Sequence, residues 1–156
     1  MRETGVFRIA LLIGLFLAIS VVLKAAPSVT NMKAFLFYNQ SGALSENIIG
    51  NDDFTLFNTI IGAGAAKEPS SQTMVVVEIN GKCISGACKV EFAAAENTGL
   101  KKKVMLKKTT EVFCETEKCN VAFMLYDTGC VPIELTAKIA GSKKTIKKNI
   151  NFVCGE

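Results

Sequence analysis

Beyond residue 72 hydrophobic and polar positions alternate. In MVVVEIN (74–80) Val75, Val77 and Ile79 share one side, in KVEFAA (89–94) Val90 and Phe92 do, and in VPIELTAKI (131–139) Val131, Ile133, Leu135, Ala137 and Ile139 do. Successive side chains of a strand project to opposite faces, so this period of two marks strands with one face buried and one wet. No stretch after residue 26 sustains a helical period. Strand-like runs divided by turn formers predict an all-β antiparallel sandwich over residues 67–156. Upstream, KAFLFY (33–38) and FTLFNTII (54–61) read as two further strands separated by a segment rich in turn formers, and GAGAAKEPSSQ (62–72) reads as a loop. Residues 27–66 are therefore expected to form an N-terminal strand and loop extension.

A different pattern opens the chain. Arg2 and Arg8 precede an apolar run from Ile9 to Leu23, and Lys24 closes it. Charge followed by an apolar stretch is the layout of a secretory signal. Crossing the hydrocarbon layer takes about 20 residues, more than this run supplies, which favours a cleaved signal over a permanent span. Cutting after Ser20, Ala25 or Ala26 each meets an obstacle, so residues 1–26 stay either a signal peptide or an uncleaved anchor held by residues 9–25. Both readings export the remainder, to the periplasm, the cell surface or the medium, and membrane contact is expected only through this segment.

All six cysteines, at 83, 88, 114, 119, 130 and 154, lie downstream of it. An even number in a small exported domain predicts a disulfide framework. Directly opposed residues of an antiparallel hairpin share a face and have a constant index sum. Pairing Cys83 with Cys88 sets Ile79 opposite Phe92, and pairing Cys114 with Cys119 sets Val112 opposite Val121, so the apolar faces coincide in both. Both bonds are accordingly expected across the mouths of hairpins with four-residue loops. Cys130 and Cys154 remain by elimination. Matching faces there puts Ile139 opposite Ile146, with a bulge near Pro132 absorbing one residue. Zinc binding fits less well, because structural zinc knuckles have shorter gaps and an exported chain meets oxidising conditions. A redox pair would show Cys-x-x-Cys at a helix start.

Composition narrows the chemistry. The chain has no histidine, and no arginine after Arg8, so the commonest general base and bidentate anion capture are both missing from the exported part. No catalytic residue, metal or cofactor is expected. Asp52 with Asp53, and Glu115 with Glu117, are the nearest candidates for carboxylate chemistry, and they read as solvated turn residues. GNDDF (50–54) lacks the spaced oxygens of a calcium loop. Past residue 26 the charge is only weakly positive, which argues against nucleic acid. Lysines cluster at 101–103, 107–108, 143–144 and 147–148. Lys101, Lys102, Lys103, Lys107 and Lys108 form the candidate binding set for a protein or an anionic polysaccharide; the competing reading is that edge lysines discourage aggregation. Asn39 heads an NQS triplet that matters as a glycosylation acceptor only in a eukaryotic secretory route.

NGKCISGACKVEF (80–92) resembles the early turn and strand of the bacterial immunoglobulin-like repeats of invasin and intimin adhesins. TTEVFCETEKCNVAFML (109–125) is similar to their next hairpin and PIELTAKIAGS (132–142) to their late strand. The chain departs from that pattern in carrying cysteine pairs and a single unit. The resemblance implies an immunoglobulin-like sandwich at a cell surface or in the periplasm and carries over no catalytic residue. The expectation is an exported, non-enzymatic binding module of the cell envelope that recognises a partner through its loops. The alternative is a structural or spacer subunit of a pilus-like or adhesin-like assembly, whose residues 32–61 would add to a neighbour's sheet. An enzyme using carboxylate or metal chemistry ranks below both.

Overall fold

The computed structural model describes residues 26–83, 86–99 and 101–155; the signal or anchor expected at residues 1–26 lies outside them except for Ala26. The described chain contains seven strands: β1 (Ser28–Phe37), β2 (Gln72–Asn80), β3 (Ala87–Asn97), β4 (Lys102–Phe113), β5 (Lys118–Tyr126), β6 (Ile133–Ile139) and β7 (Ile146–Ile150). They form two antiparallel sheets, one ordered β1-β2-β5 and the other β4-β3-β6-β7. The expected all-β class is thus present.

Alternation explains how the sheets meet. Thr73, Val75, Val77 and Ile79 of β2 are buried, as are Ile133, Leu135, Ala137 and Ile139 of β6, while the residues between them are only half-buried. The two inner faces close on one core. Phe92 from β3 lies flat on Phe123 from β5, with ring centroids 4.3 Å apart and planes 9° from parallel. The residues expected as an extension share that core: β1 pairs with β2 from Ser28↔Asn80 to Phe37↔Gln72, and Val29, Met32, Ala34 and Leu36 are buried.

Three expectations are corrected. First, FTLFNTII is not a strand. Phe57 makes one isolated bridge to Val153, and Thr59–Ile61 is a 3₁₀ turn. Asn58 and Gly62, both left-handed, flank that turn and end any extended run.

Second, the two short cysteine loops close arches between the sheets, and neither is a hairpin. Cys83–Cys88 and Cys114–Cys119 are bonded. However, Ile79 lies opposite Cys119 and Val29, not Phe92, and Val112 lies opposite Cys88, not Val121. At each bond the chain leaves one sheet for the other. An odd index sum requires only that both cysteines face one interior, and the space between two sheets satisfies it as well as the shared face of a hairpin.

Third, the β6–β7 ladder sets Ala137, not Ile139, opposite Ile146 and ends at Ile133↔Ile150. A shift of two residues preserves the faces. Past Ile150 the chain turns to residues 56–58, where Val153 N donates to Leu56 O at 2.9 Å and Asn58 N to Val153 O at 2.8 Å. Cys130–Cys154 therefore closes beyond the ladder, and no bulge at Pro132 is involved.

The strand directions give the molecule two unlike ends. Both arches, the β6–β7 turn and the start of β1 lie at one. At the other lie the long segment 38–71, the β3–β4 turn, the loop 127–132 and residues 151–155, tied by Cys130–Cys154.

Candidate functional site

The lysine set falls on one strand. Lys102, Lys103, Lys107 and Lys108 belong to β4, and Lys101 immediately precedes it. β4 is an edge strand, which satisfies the geometric premise of both readings of these lysines. Its register on β3 slips once, between Ala94 and Ala95, leaving Met105 unpaired. Before the slip Lys108 sits opposite inward Phe92 and Lys107 opposite outward Ala93, so the two ammonium groups leave opposite faces of the sheet.

Not all of these charges are uncommitted. Lys102 Nζ donates to both oxygens of Glu134, at 2.8 and 2.9 Å, and this hydrogen bond holds the Glu134 carboxyl below the usual glutamate value. Lys103 Nζ lies 3.4 Å from Glu96. Exposed pairs of this kind are weakened by solvent, so they orient side chains more than they hold the fold. Among the described residues Lys107 and Lys108 have no carboxylate within ion-pair distance.

Two depressions adjoin them. On the outer face of the four-stranded sheet a hollow of about 330 Å³ forms over small Ala93 and is walled by Lys107, Thr109, Thr136, Lys138 and Glu91. Lys138 is already bound to Glu91 at 3.2 Å, which leaves Lys107 and Lys108 as the lining's unpaired cations among the described residues. A cleft of about 290 Å³ lies between the free edges of β4 and β5, lined by Val104, Met105, Leu106, Met124 and Tyr126. Val104 and Tyr126 are 65% and 62% exposed. Sequence reasoning missed this cleft. The apolar triplet VML between two lysine clusters was a readable signal, but Met124 and Tyr126 join it only because β5 faces β4 across the sheets.

The loop end carries a second group. Phe57, Ile60, Ile61 and Val153 are all exposed there, and Phe57 and Val153 are bridged. A strand at 54–61 would have put Ile60 and Ile61 on opposite faces, one of them buried, whereas the turn at Thr59–Ile61 leaves both exposed.

The carboxylate candidates are not brought together. Glu115 and Glu117 sit exposed in the second arch, whereas Asp52 and Asp53 lie exposed on the long segment, where Asp52 lines a polar hollow of about 210 Å³ with Asn51, Asn149 and Asn151. Among the described residues no three acidic or cysteine side chains cluster as a metal site would require. All six cysteines are oxidised into the three expected pairs, which fits an oxidising location outside the cytoplasm. No family model matches the chain, and no curated protein matches it.

Proposed function

We propose that the chain is an exported, non-enzymatic binding module with immunoglobulin-like topology, and that it engages an envelope or extracellular protein through its loop end. The strand order supports the topology. With the strands lettered A, B, C, C′, E, F and G in chain order, the sheets become A-B-E and C′-C-F-G, a seven-stranded sandwich whose fourth strand has moved to the C-F-G sheet. The observation that carries the functional reading is the cluster Phe57, Ile60, Ile61 and Val153, apolar side chains exposed on loops that Cys130–Cys154 fastens to a rigid body. Contiguous exposed apolar side chains mark interaction surfaces. They also sit at the end away from the start of β1, so a membrane anchor at residues 9–25 would leave them pointing outward.

The test is capture from envelope extract and culture medium by the full chain in detergent, alongside an Ile60→Glu, Ile61→Glu variant. A partner held by the unaltered protein and lost by the variant supports the reading, whereas partners indifferent to the variant remove its basis. The spacer alternative through residues 32–61 is disfavoured by the covered edge of β1. Ser45 N and Ile48 N donate to Leu36 O and Ala34 O, and Ser45 Oγ and Asn47 Oδ1 accept from Leu36 N and Ala34 N.

A further inference from the structure

The molecule treats its sheet edges unequally. On β1 the loop 43–48 satisfies edge donors and acceptors, with two side chains standing in for a neighbouring strand. On β4 the outer edge runs for 12 residues with no strand beside it among the described residues, and β5 is likewise open. An open edge is a template for another strand.

The side chains of β4 sort the occupants. A second copy laid antiparallel along β4 would bring lysine clusters against one another, and like charges opposed in a sheet are unfavourable. Lys107 and Lys108, unpaired and on opposite faces, instead match a segment with carboxylates at two consecutive positions. Immediately along the strand, the cleft lined by Val104, Leu106 and Met124 accepts an apolar side chain. A polysaccharide would use the lysines but neither the backbone edge nor the apolar cleft. We propose that the β4 edge receives an extended acidic segment of another protein by strand addition, an acidic pair meeting Lys107 and Lys108 and an apolar side chain entering the cleft. This rests on the binding-module reading and assigns the recognition to an edge in addition to the loops.

The test uses the full chain in detergent and a fluorescein-labelled peptide, SEEVTVTEES, which reads nearly alike in both directions and so serves parallel or antiparallel addition. Three competitors accompany it: the same peptide N-methylated at consecutive residues so that both of its edges are blocked, its lysine counterpart SKKVTVTKKS, and heparin. Expected are saturable binding by anisotropy, hydrogen-exchange protection confined to residues 102–113, no displacement by the lysine peptide, and at least about tenfold weaker binding of the N-methylated form, whose ladder is broken. A Lys107→Glu, Lys108→Glu variant, exposed at both sites, should also bind about tenfold more weakly. Equal binding of the N-methylated peptide, displacement by heparin without protection of β4, or no binding at about 1 mM peptide would each overturn the inference. Capture of a partner that depends on Ile60 and Ile61, with no peptide binding, would remove the edge and leave the loop reading intact. Peptide binding without such capture would do the reverse.

Discussion

Removing each disulfide in turn tests whether unfolded-chain entropy governs their contributions. The half-cystines of Cys130–Cys154 are 24 residues apart, against 5 in each arch. The chain-entropy relation assigns about 3.5 kcal/mol to the long loop and about 2.1 kcal/mol to each short one at 25 °C. The difference, about 1.4 kcal/mol, is tenfold in the folding equilibrium. Replacement by alanine also leaves a cavity where sulfur was buried. Cys114 is 2% and Cys88 7% exposed, whereas Cys130 and Cys154 are half-buried, so packing adds on the order of 1 kcal/mol to the arches, most at Cys114. The expected order of loss in guanidinium titrations is Cys130/Cys154 first, Cys114/Cys119 second and Cys83/Cys88 least. The denaturant slope should rise most for the first, because its unfolded chain gains the most freedom to expand. A Cys83→Ala, Cys88→Ala variant that lost as much as Cys130→Ala, Cys154→Ala would refute the reasoning and show that tying the two sheets together matters more than loop length.

Phe92→Ala should cost about 4 kcal/mol in the same titration, since a fully buried ring stacked on Phe123 leaves a hole the two sheets cannot close; a loss below about 2 kcal/mol would mean the sheets collapse into it. Asn47→Ala removes the acceptor of Ala34 N at 3.0 Å and the donor to Ile49 O at 2.8 Å. It should lower stability by about 1–3 kcal/mol and unmask the β1 edge, giving concentration-dependent dimers on size exclusion. The Glu78 carboxyl is held below its ordinary value of 4.5, first by its hydrogen bond from Lys33. A carboxyl more acidic folded than unfolded adds stability above its unfolded value, and that stability is lost as pH falls through the lower folded value. Glu78→Gln should therefore flatten the acid limb of a stability profile below pH 4.5. An unchanged limb would show the pair to be inert.

Much of the sandwich was legible because burial imposes period two. β2 and β6, and β3 as far as Ala95, keep strict alternation between buried and wetter positions, and the sequence segments that showed it are strands of the core. Pairing was not legible in the same way. Index parity tells which residues share an interior but not whether the ladder or the sandwich brings them together, so hairpin and arch read alike at Cys83–Cys88 and Cys114–Cys119. Segment 54–61 has strand composition throughout. Its fate is decided by the left-handed Asn58 and by Gly64, where an added Cβ would lie 2.6 Å from Thr55 O, and close backbone approach of that kind leaves no periodic mark. The lysine cluster was visible as a cluster, while the cleft beside it needed β5, which follows β4 in the chain but belongs to the other sheet.

The arch geometry has a consequence for recognition. Had Cys114–Cys119 closed a hairpin, β4 and β5 would have satisfied one another and neither edge would be free. Because the chain crosses between sheets at that bond, the two strands run side by side unpaired, held at one end by Cα atoms 5.7 Å apart. The neighbouring arch braces this junction, Cys83 N donating to Cys114 O at 3.1 Å and Gly81 N to Glu117 O at 2.8 Å. The Val104–Tyr126 cleft opens at the other end. A disulfide that ties β4 to β5 at one end lowers the ordering cost of filling a gap between them at the other, since the separation of the two edges is restricted before the ligand arrives. Opening Cys114–Cys119 should then weaken peptide binding at β4 more than opening Cys130–Cys154, which lies at the cleft's own end but does not join β4 to β5, although the latter costs the fold more. Isothermal titration on the two variants, below their unfolding transitions, checks that inversion, and the same rank order for binding as for stability would refute it.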